Sequence, residues 1–140
     1  MVIVPINYFA VLGATVASMV IGFLWYGPLF GKEWIRMMGF TKDAMDAAKK
    51  KGMAKSYAIM AFGSLLMSYS LAHNLIFGSA YLHMGGIEAG LMAGFWNWLG
   101  FIAPVTVGVV LWEGKPWKLW CITAGYYLVS LLVMGIILAM

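Results

Sequence analysis

Residues 117–139 read WKLWCITAGYYLVSLLVMGIILA, and this stretch decides the fold class of the chain. Its only charged side chain is Lys118, next to the first residue, and most of the other residues are apolar. A helix needs about 20 apolar residues to cross the roughly 30 Å hydrocarbon layer of a bilayer. The stretch is therefore predicted to be a transmembrane helix.

Three further segments of the chain fit the same description. They cover residues 7–26, 56–77 and 87–112, so predicted spans account for most of the sequence. Membrane strands would instead alternate polar and apolar side chains over about 10 positions, and the segments lack that alternation. We therefore predict a single domain over residues 1–140. It is expected to be an all-α four-helix bundle in the membrane, made of two antiparallel transmembrane hairpins.

The composition indicates a chain that is solvated by lipid. Hydrophobic residues make up 64% of it and charged residues only 10%, which is too little polar surface for a soluble domain of this length. Asp and Glu together number 5, and none lies in the middle of a predicted span. We therefore expect no carboxylate relay in the bilayer and no metal site. Because no catalytic motif is present either, we do not expect an enzyme.

The basic residues predict the orientation of the chain. All 9 Lys and Arg side chains follow the first or the third predicted span, whereas residues 78–86, between the second and third spans, contain none. The positive-inside rule then places the basic connections in the cytoplasm and both termini outside. Since this rule also accounts for the sequence pI of about 9.3, we expect no nucleic-acid partner.

The basic connection of residues 32–55 has a pattern of its own. Residues 32–38 (KEWIRMM) separate apolar from basic side chains, which predicts a short amphipathic helix at the membrane interface between the first two spans. Thr41 is predicted to begin a second short helix, with Asp43 near its positive end and lysines 49–51 near its negative end. Each basic residue near a membrane surface attracts anionic lipid by about 1 kcal/mol, so anionic lipid is an expected partner.

Small residues recur at helical spacing on two of the spans. Such stripes let helix backbones approach closely, and close packing is a main source of helix association in lipid. We expect tight helix pairs within the chain or between protomers, and hence a homo-oligomer or an assembly with other membrane proteins. The residues are Ala10, Ala14, Ser18 and Gly22 on the first span, and Gly86, Gly90 and Gly94 on the third.

Polar side chains within the spans form the candidate site. The functional interpretation is an outward-facing polar pocket in which His73 responds to protons, and the structural one is hydrogen bonding between helices. His73 could also serve as an axial ligand of a haem iron, although no cofactor is expected. Ser70, His73 and Asn74 can share one helix face, because they stand at positions i, i+3 and i+4. The full set is Asn7, Ser70, His73, Asn74 and Asn97.

The chain resembles a family of small bacterial membrane proteins over nearly its whole length. The likeness begins with Asn-Tyr at 7–8 and continues through residues 24–34 (LWYGPLFGKEW), 94–101 (GFWNWLGF), 113–116 (EGKP) and 124–135 (AGYYLVSLLVMG). The family is known as domain of unknown function 1761. The resemblance implies a four-helix integral membrane protein, here of the bacterial cytoplasmic (inner) membrane, and it supplies no activity.

Most of the shared positions are aromatic, Gly or Pro residues near the ends of predicted spans. They are typical of a structural signature at the membrane interface, and no catalytic role is assigned to them. Because Glu113 lies close in sequence to Lys115 and Lys118, an ion pair is expected there. The interface motif consists of Trp25, Tyr26, Pro28, Trp34 and Glu113.

Three functions remain open from the sequence. The first is a packing or accessory subunit of a larger or homo-oligomeric membrane assembly. The second is a small homo-oligomeric transporter or channel with an outward-facing polar pocket around His73 and Asn97, because four helices alone enclose little room for a solute. The third is a haem- or quinone-binding redox partner.

Overall fold

Helices dominate the computed structural model of the chain, which describes residues 3–140. No strand occurs within that range. Among these described residues, four helical segments are long and apolar enough to cross a membrane, which indicates a membrane protein and confirms the all-α prediction. They are Tyr8–Leu29, Ala54–Leu82, Gly86–Leu111 and Trp117–Ala139.

The first long segment consists of α1 (Tyr8–Leu24) and a π-helical turn at Trp25–Leu29. The sequence predicted a span that ends at residue 26, directly before Gly27 and Pro28, but the helical path continues past Pro28. Proline has no backbone N–H to donate. In the wider turn, the Phe30 N–H bonds to the Trp25 carbonyl, five residues back, at 2.8 Å. This spacing carries the backbone past the proline.

Both short helices predicted in the basic connection are present. They are α2 (Gly31–Met38) and α3 (Lys42–Lys51). α2 ends at Gly39, whose φ of 74° lies in the left-handed region that glycine adopts readily. α3 begins after Thr41, whose Oγ1 accepts a hydrogen bond from the Ala44 N–H at 3.1 Å, as the capping argument predicted.

The second long segment, α4 (Ala54–Leu82), is longer than the sequence predicted. Its 29 residues span about 44 Å, which exceeds the roughly 30 Å hydrocarbon layer. Gly78 does not end it, because a glycine within a helix costs only about 1 kcal/mol relative to alanine. The helix ends instead at His83, which has a left-handed φ of 56°.

The third long segment is interrupted, although the sequence predicted one continuous helix. Pro104 lies just beyond the interruption, and because it lacks an N–H it cannot complete the regular hydrogen-bond ladder. The parts in chain order are α5 (Gly86–Asn97), a π-helical turn (Trp98–Ile102), α6 (Ala103–Thr106) and α7 (Gly108–Leu111).

The fourth long segment, α8 (Trp117–Ala139), has the bounds that the sequence predicted. It packs against α1, α4 and α5, and eight of its residues are buried. The central cluster of buried side chains comes from three helices and consists of Ala14, Leu71, Leu131 and Met134.

Contacts between α1 and α4 show that these helices run in opposite directions. Ser68 Oγ donates to the Val11 carbonyl at 2.9 Å, and Ser64 contacts the Met19 sulfur at 3.6 Å. Residue numbers therefore fall on α4 as they rise on α1. We call the end of the long helices that carries residues 32–55 the basic end.

Candidate functional site

Two asparagines join α4 to the third long segment, and we call them the amide pair. Asn74 Nδ2 donates to Asn97 Oδ1 at 2.9 Å, and Asn97 Nδ2 donates to the Ala93 carbonyl at 2.8 Å. Asn97 is the last residue of α5, directly before the π-helical turn. Each primary amide carries two N–H donors and an oxygen with two lone pairs, so both retain unused hydrogen-bonding capacity.

Two cavities meet at the amide pair, and both lie between α4 and the third long segment. One has a volume of about 390 Å³ and extends toward the basic end, where Ser70 and Phe101 line it. The other has a volume of about 210 Å³ and extends in the opposite direction, past Ser79 and Trp96. Ser70 and the amide pair are therefore the three sequence-predicted site residues that the structure brings together.

The other two predicted site residues serve their own helices. His73 Nδ1 lies 2.9 Å from the Tyr69 carbonyl, and since a carbonyl only accepts, this nitrogen carries the proton. The imidazole packs against the rings of Tyr69 and Phe77 and lines neither cavity. Asn7 caps α1, with its Oδ1 accepting from the Ala10 N–H at 3.2 Å.

The small residues of α1 are used inside the chain. Ala14 and Ser18 are buried, and Tyr126 of α8 covers this face. The Tyr126 hydroxyl donates to the Ser18 carbonyl at 3.1 Å. A Cβ added at Gly22 would lie 3.1 Å from the same hydroxyl, so the glycine makes room for the ring. Ala10, at the other end of the stripe, is half-buried.

The glycines of α5 make a closer contact, also with α8. A Cβ at Gly90 would overlap the carbonyl oxygen of Gly135, and one at Gly94 would lie 2.5 Å from the Leu131 carbonyl oxygen. Gly86 is not part of this contact, because a Cβ added there would have no described atom of another helix within 4 Å. Sequence reasoning missed Gly135, because the two glycines of α8, Gly125 and Gly135, do not recur at the four-residue spacing that marks a close helix contact.

Both π-helical turns begin at a tryptophan that bonds to α8. Trp25 Nε1 donates to the Ile122 carbonyl at 2.9 Å, and Trp98 Nε1 donates to the Ala124 carbonyl at 2.8 Å. The sequence placed Trp25 at the membrane interface without foreseeing this bond. These indoles anchor the first and third long segments to the same stretch of α8.

The remaining interface residues hold α2 against the long helices. The ring of Trp34 lies 5.4 Å from that of Tyr26 in an edge-on contact. Glu33 Oε2 accepts from Lys118 Nζ at 3.1 Å and from Arg36 Nη2 at 2.6 Å. These two hydrogen bonds, that from Lys118 foremost, lower the pKa of the Glu33 carboxyl.

Glu113 differs from the expectation that it would pair with a nearby lysine. Lys118 pairs with Glu33 instead, and no ion pair of Glu113 is found among residues 3–140. Glu113 is exposed in the connection before α8. Proximity in sequence was misleading here because α2 brings a competing carboxylate to Lys118 from 85 residues away.

Comparison with known proteins identifies the family of the chain and leaves its activity open. No curated protein and no solved structure matches it. A family described as "Protein of unknown function (DUF1761)" matches residues 9–139, which include nearly all of every long helix and the amide pair. With nearly the whole sequence matched, the chain belongs to the DUF1761 family.

Proposed function

We propose that the chain is a packing or accessory subunit of a larger or homo-oligomeric assembly in the bacterial cytoplasmic membrane. Residues 1–140 would form one domain, a four-helix bundle of two antiparallel hairpins with α2 at the cytoplasmic interface. The basic residues at one end support an orientation with both termini outside. The lysines of residues 32–55 support contact with anionic lipid.

The amide pair is the observation that supports the assembly proposal. Beyond the bonds described above, the Asn74 oxygen and one N–H of each amide have no partner between residues 3 and 140. Asn74 is exposed. Lipid tails offer neither donors nor acceptors, whereas a hydrogen bond between membrane helices contributes about 1–2 kcal/mol in model peptides. A second copy, docked by two-fold symmetry, would supply a second amide pair.

The small-residue stripes left two positions open for close packing, within the chain or between protomers, and the contacts favour the first. Ser18, Gly90 and Gly94 are already covered by α8 of the same chain. They therefore stabilise the protomer and are not free for a partner. The face formed by α4 and the third long segment, with its two cavities, is the one that favours a protein partner.

Cysteine crosslinking in native membranes tests the proposal. In a chain whose exposed Cys121 is replaced by serine, Ser70→Cys places a thiol on the exposed face beside the amide pair. Leu12→Cys is the control, because Leu12 is exposed on α1. Its neighbour Val11 contacts Ser68 of α4, so residues 12 and 70 lie at a similar depth along the helices. We expect oxidation to produce disulfide-linked dimers from Ser70→Cys and not from Leu12→Cys.

A second substitution connects the crosslink to the amides. Combining Asn74→Leu with Ser70→Cys should lower the dimer yield, because leucine cannot hydrogen bond across the contact. Equal crosslinking at the two cysteine positions, or no dimer from Ser70→Cys, would contradict the proposed face.

The interrupted third segment favours a second candidate, a small homo-oligomeric transporter or channel. In transporters, substrates often bind where membrane helices are interrupted, and here the π-helical turn follows Asn97 directly. Solute passing between the two cavities would have to separate the amide pair. Liposomes containing the protein should then swell faster than empty ones in a gradient of glycerol, and Asn97→Leu should alter that rate. Equal rates for empty and loaded liposomes would remove this candidate and leave the assembly proposal in place.

A further inference from the structure

A third cavity lies nearer the basic end, between α1, α4 and α8, on a different face from the amide pair. Its volume is about 420 Å³, and we call it the tyrosine cavity because Tyr26, Tyr57, Tyr126 and Tyr127 line it. The other described residues around it are apolar side chains and glycines, so none of them is charged. The residues that line the cavity indicate which kind of ligand it can bind.

The walls of the tyrosine cavity are aromatic rings in fixed positions. The Tyr126 ring is held by its hydroxyl, which bonds to the Ser18 carbonyl. The Tyr26 ring meets it edge-on with centroids 5.4 Å apart, and the Tyr127 ring lies 4.9 Å away. Rings arranged at such distances and angles offer faces and edges on which another flat ring packs well.

Two hydroxyls in the tyrosine cavity are free to bind a ligand. Those of Tyr57 and Tyr127 form no hydrogen bond with another residue in the described range 3–140. A phenol hydroxyl donates one hydrogen bond, and in apolar surroundings it gains from an acceptor oxygen. A ligand that pairs with these two hydroxyls therefore carries hydrogen-bond acceptors such as carbonyl oxygens.

The lack of charged side chains around the cavity also indicates the charge of the ligand. Aromatic rings attract cations, but this cavity has no carboxylate among its described lining residues to compensate a buried positive charge. A carboxylate or phosphate would equally lack a basic partner, since no Lys or Arg is among those residues. The walls favour an uncharged ligand.

We infer that the tyrosine cavity binds an uncharged, flat ring that bears carbonyl oxygens, which is the chemistry of a membrane-soluble quinone. The ring packs among the tyrosines, and Tyr57 and Tyr127 donate to its oxygens. Phe23 and Tyr57 are exposed and lie with ring centroids 6.3 Å apart, so they mark an opening toward lipid through which an apolar tail extends. This binding is independent of the assembly proposed above.

Equilibrium dialysis of the purified protein in detergent, with menadione as the probe, tests this inference. We expect saturable binding to the native chain. Met60→Trp should weaken it by about tenfold, because Met60 lines the cavity and the larger side chain fills it. Leu66→Trp is the matched control: Leu66 is on the same helix but lines the cavity beside the amide pair, so binding should be unchanged.

A double variant tests the hydroxyls separately from the shape. Tyr57→Phe with Tyr127→Phe keeps both rings and should weaken binding by about two- to tenfold for each hydrogen bond lost. Circular dichroism would establish that every variant keeps its helical content. No saturable binding, equal weakening by Leu66→Trp, or full displacement of menadione by a single-chain phospholipid would overturn the inference. Unchanged binding by the double variant would overturn the assignment of carbonyl acceptors. The crosslinking result at Ser70 would be unaffected in each case.

Discussion

Among single residues, Gly90 and Gly135 have the least room for a side chain. Each occupies space that a side chain on the other would need, so the α5 and α8 backbones touch directly. In lipid, helices gain no hydrophobic free energy from meeting each other, and van der Waals packing at such contacts takes a larger share of the stability. The absence of two side chains thus determines how closely α5 approaches α8.

Replacing Gly90 with alanine should therefore destabilise the protein. The added Cβ overlaps the Gly135 carbonyl oxygen, and forcing extra atoms into a packed contact costs about 1–3 kcal/mol. Thermal unfolding in detergent, followed by circular dichroism, would measure the change. Gly63→Ala is the control, because a Cβ there would have no described atom of another helix within 4 Å and alanine favours helix. The contact would be looser than described if Gly90→Ala melted at the native temperature.

At the scale of elements, the π-helical turns show how the long segments are anchored. Each begins at a tryptophan whose indole N–H reaches a carbonyl of α8. A carbonyl has two lone pairs, so it accepts the indole as well as its own helical partner. The turns thus occur where the first and third long segments bond to α8.

The indole bond predicts different outcomes for two neighbouring tryptophans. Trp98→Phe keeps a ring but removes the donor to the Ala124 carbonyl, and should lower stability by about 0.5–1.5 kcal/mol. Trp96→Phe should have little effect, because Trp96 is exposed and 57% of its surface is accessible. Chemical unfolding of both variants in the same detergent would compare them. A loss from Trp96→Phe as large as that from Trp98→Phe would contradict this role of the bond.

The docking of α2 should depend on pH through Glu33. Its folded-state pKa is lowered by hydrogen bonds from Lys118 and Arg36. A carboxyl with a lowered pKa stabilises the folded state above its unfolded-state pKa, and that contribution disappears as pH falls through the folded value. We therefore expect α2 to stay docked at neutral pH and to loosen only below 4.5, the ordinary pKa of glutamate.

Spin labels would measure this loosening directly. One label would be attached at Lys32→Cys in α2 and the other at the native Cys121 in α8. The distance distribution between them should broaden in acid for the native carboxylate and be broad at every pH in Glu33→Gln. Glu113→Gln should follow the native profile. A distribution that does not change with pH in the native protein would show that the ion pairs do not hold α2.

At the scale of the whole molecule, the concentration of basic residues at one end predicts the topology. Fusions of alkaline phosphatase to the N- or C-terminus should be active, because that enzyme folds outside the cytoplasm, and a C-terminal green fluorescent protein should be dark. A fluorescent protein inserted after Gly52, in the basic connection, is the matched control and should be bright. A bright C-terminal fusion would reverse the proposed orientation.

Local features of the sequence were sufficient to identify most elements. The bounds of α8 follow from one unbroken apolar run, and the start of α3 follows from a cap that Thr41 forms with its own helix. Where the bounds of an element were wrong, the reason was also local: the second span was ended at residue 77, before Gly78, although a glycine alone does not terminate a helix. The interruption near Pro104 was missed because apolar composition conceals a change of helical pitch.

The sequence by itself determined that this protein is all-helical, that its long segments suit a membrane and that its basic residues gather at one end, because hydrophobicity and charge accumulate along short stretches of chain. Only the tertiary structure decided that the α5 glycines contact α8, that Asn74 meets Asn97, and that four tyrosines enclose a cavity. Those contacts join residues far apart in the chain. They depend on the relative rotation and height of the helices, which many alternative packings of the same apolar faces would satisfy.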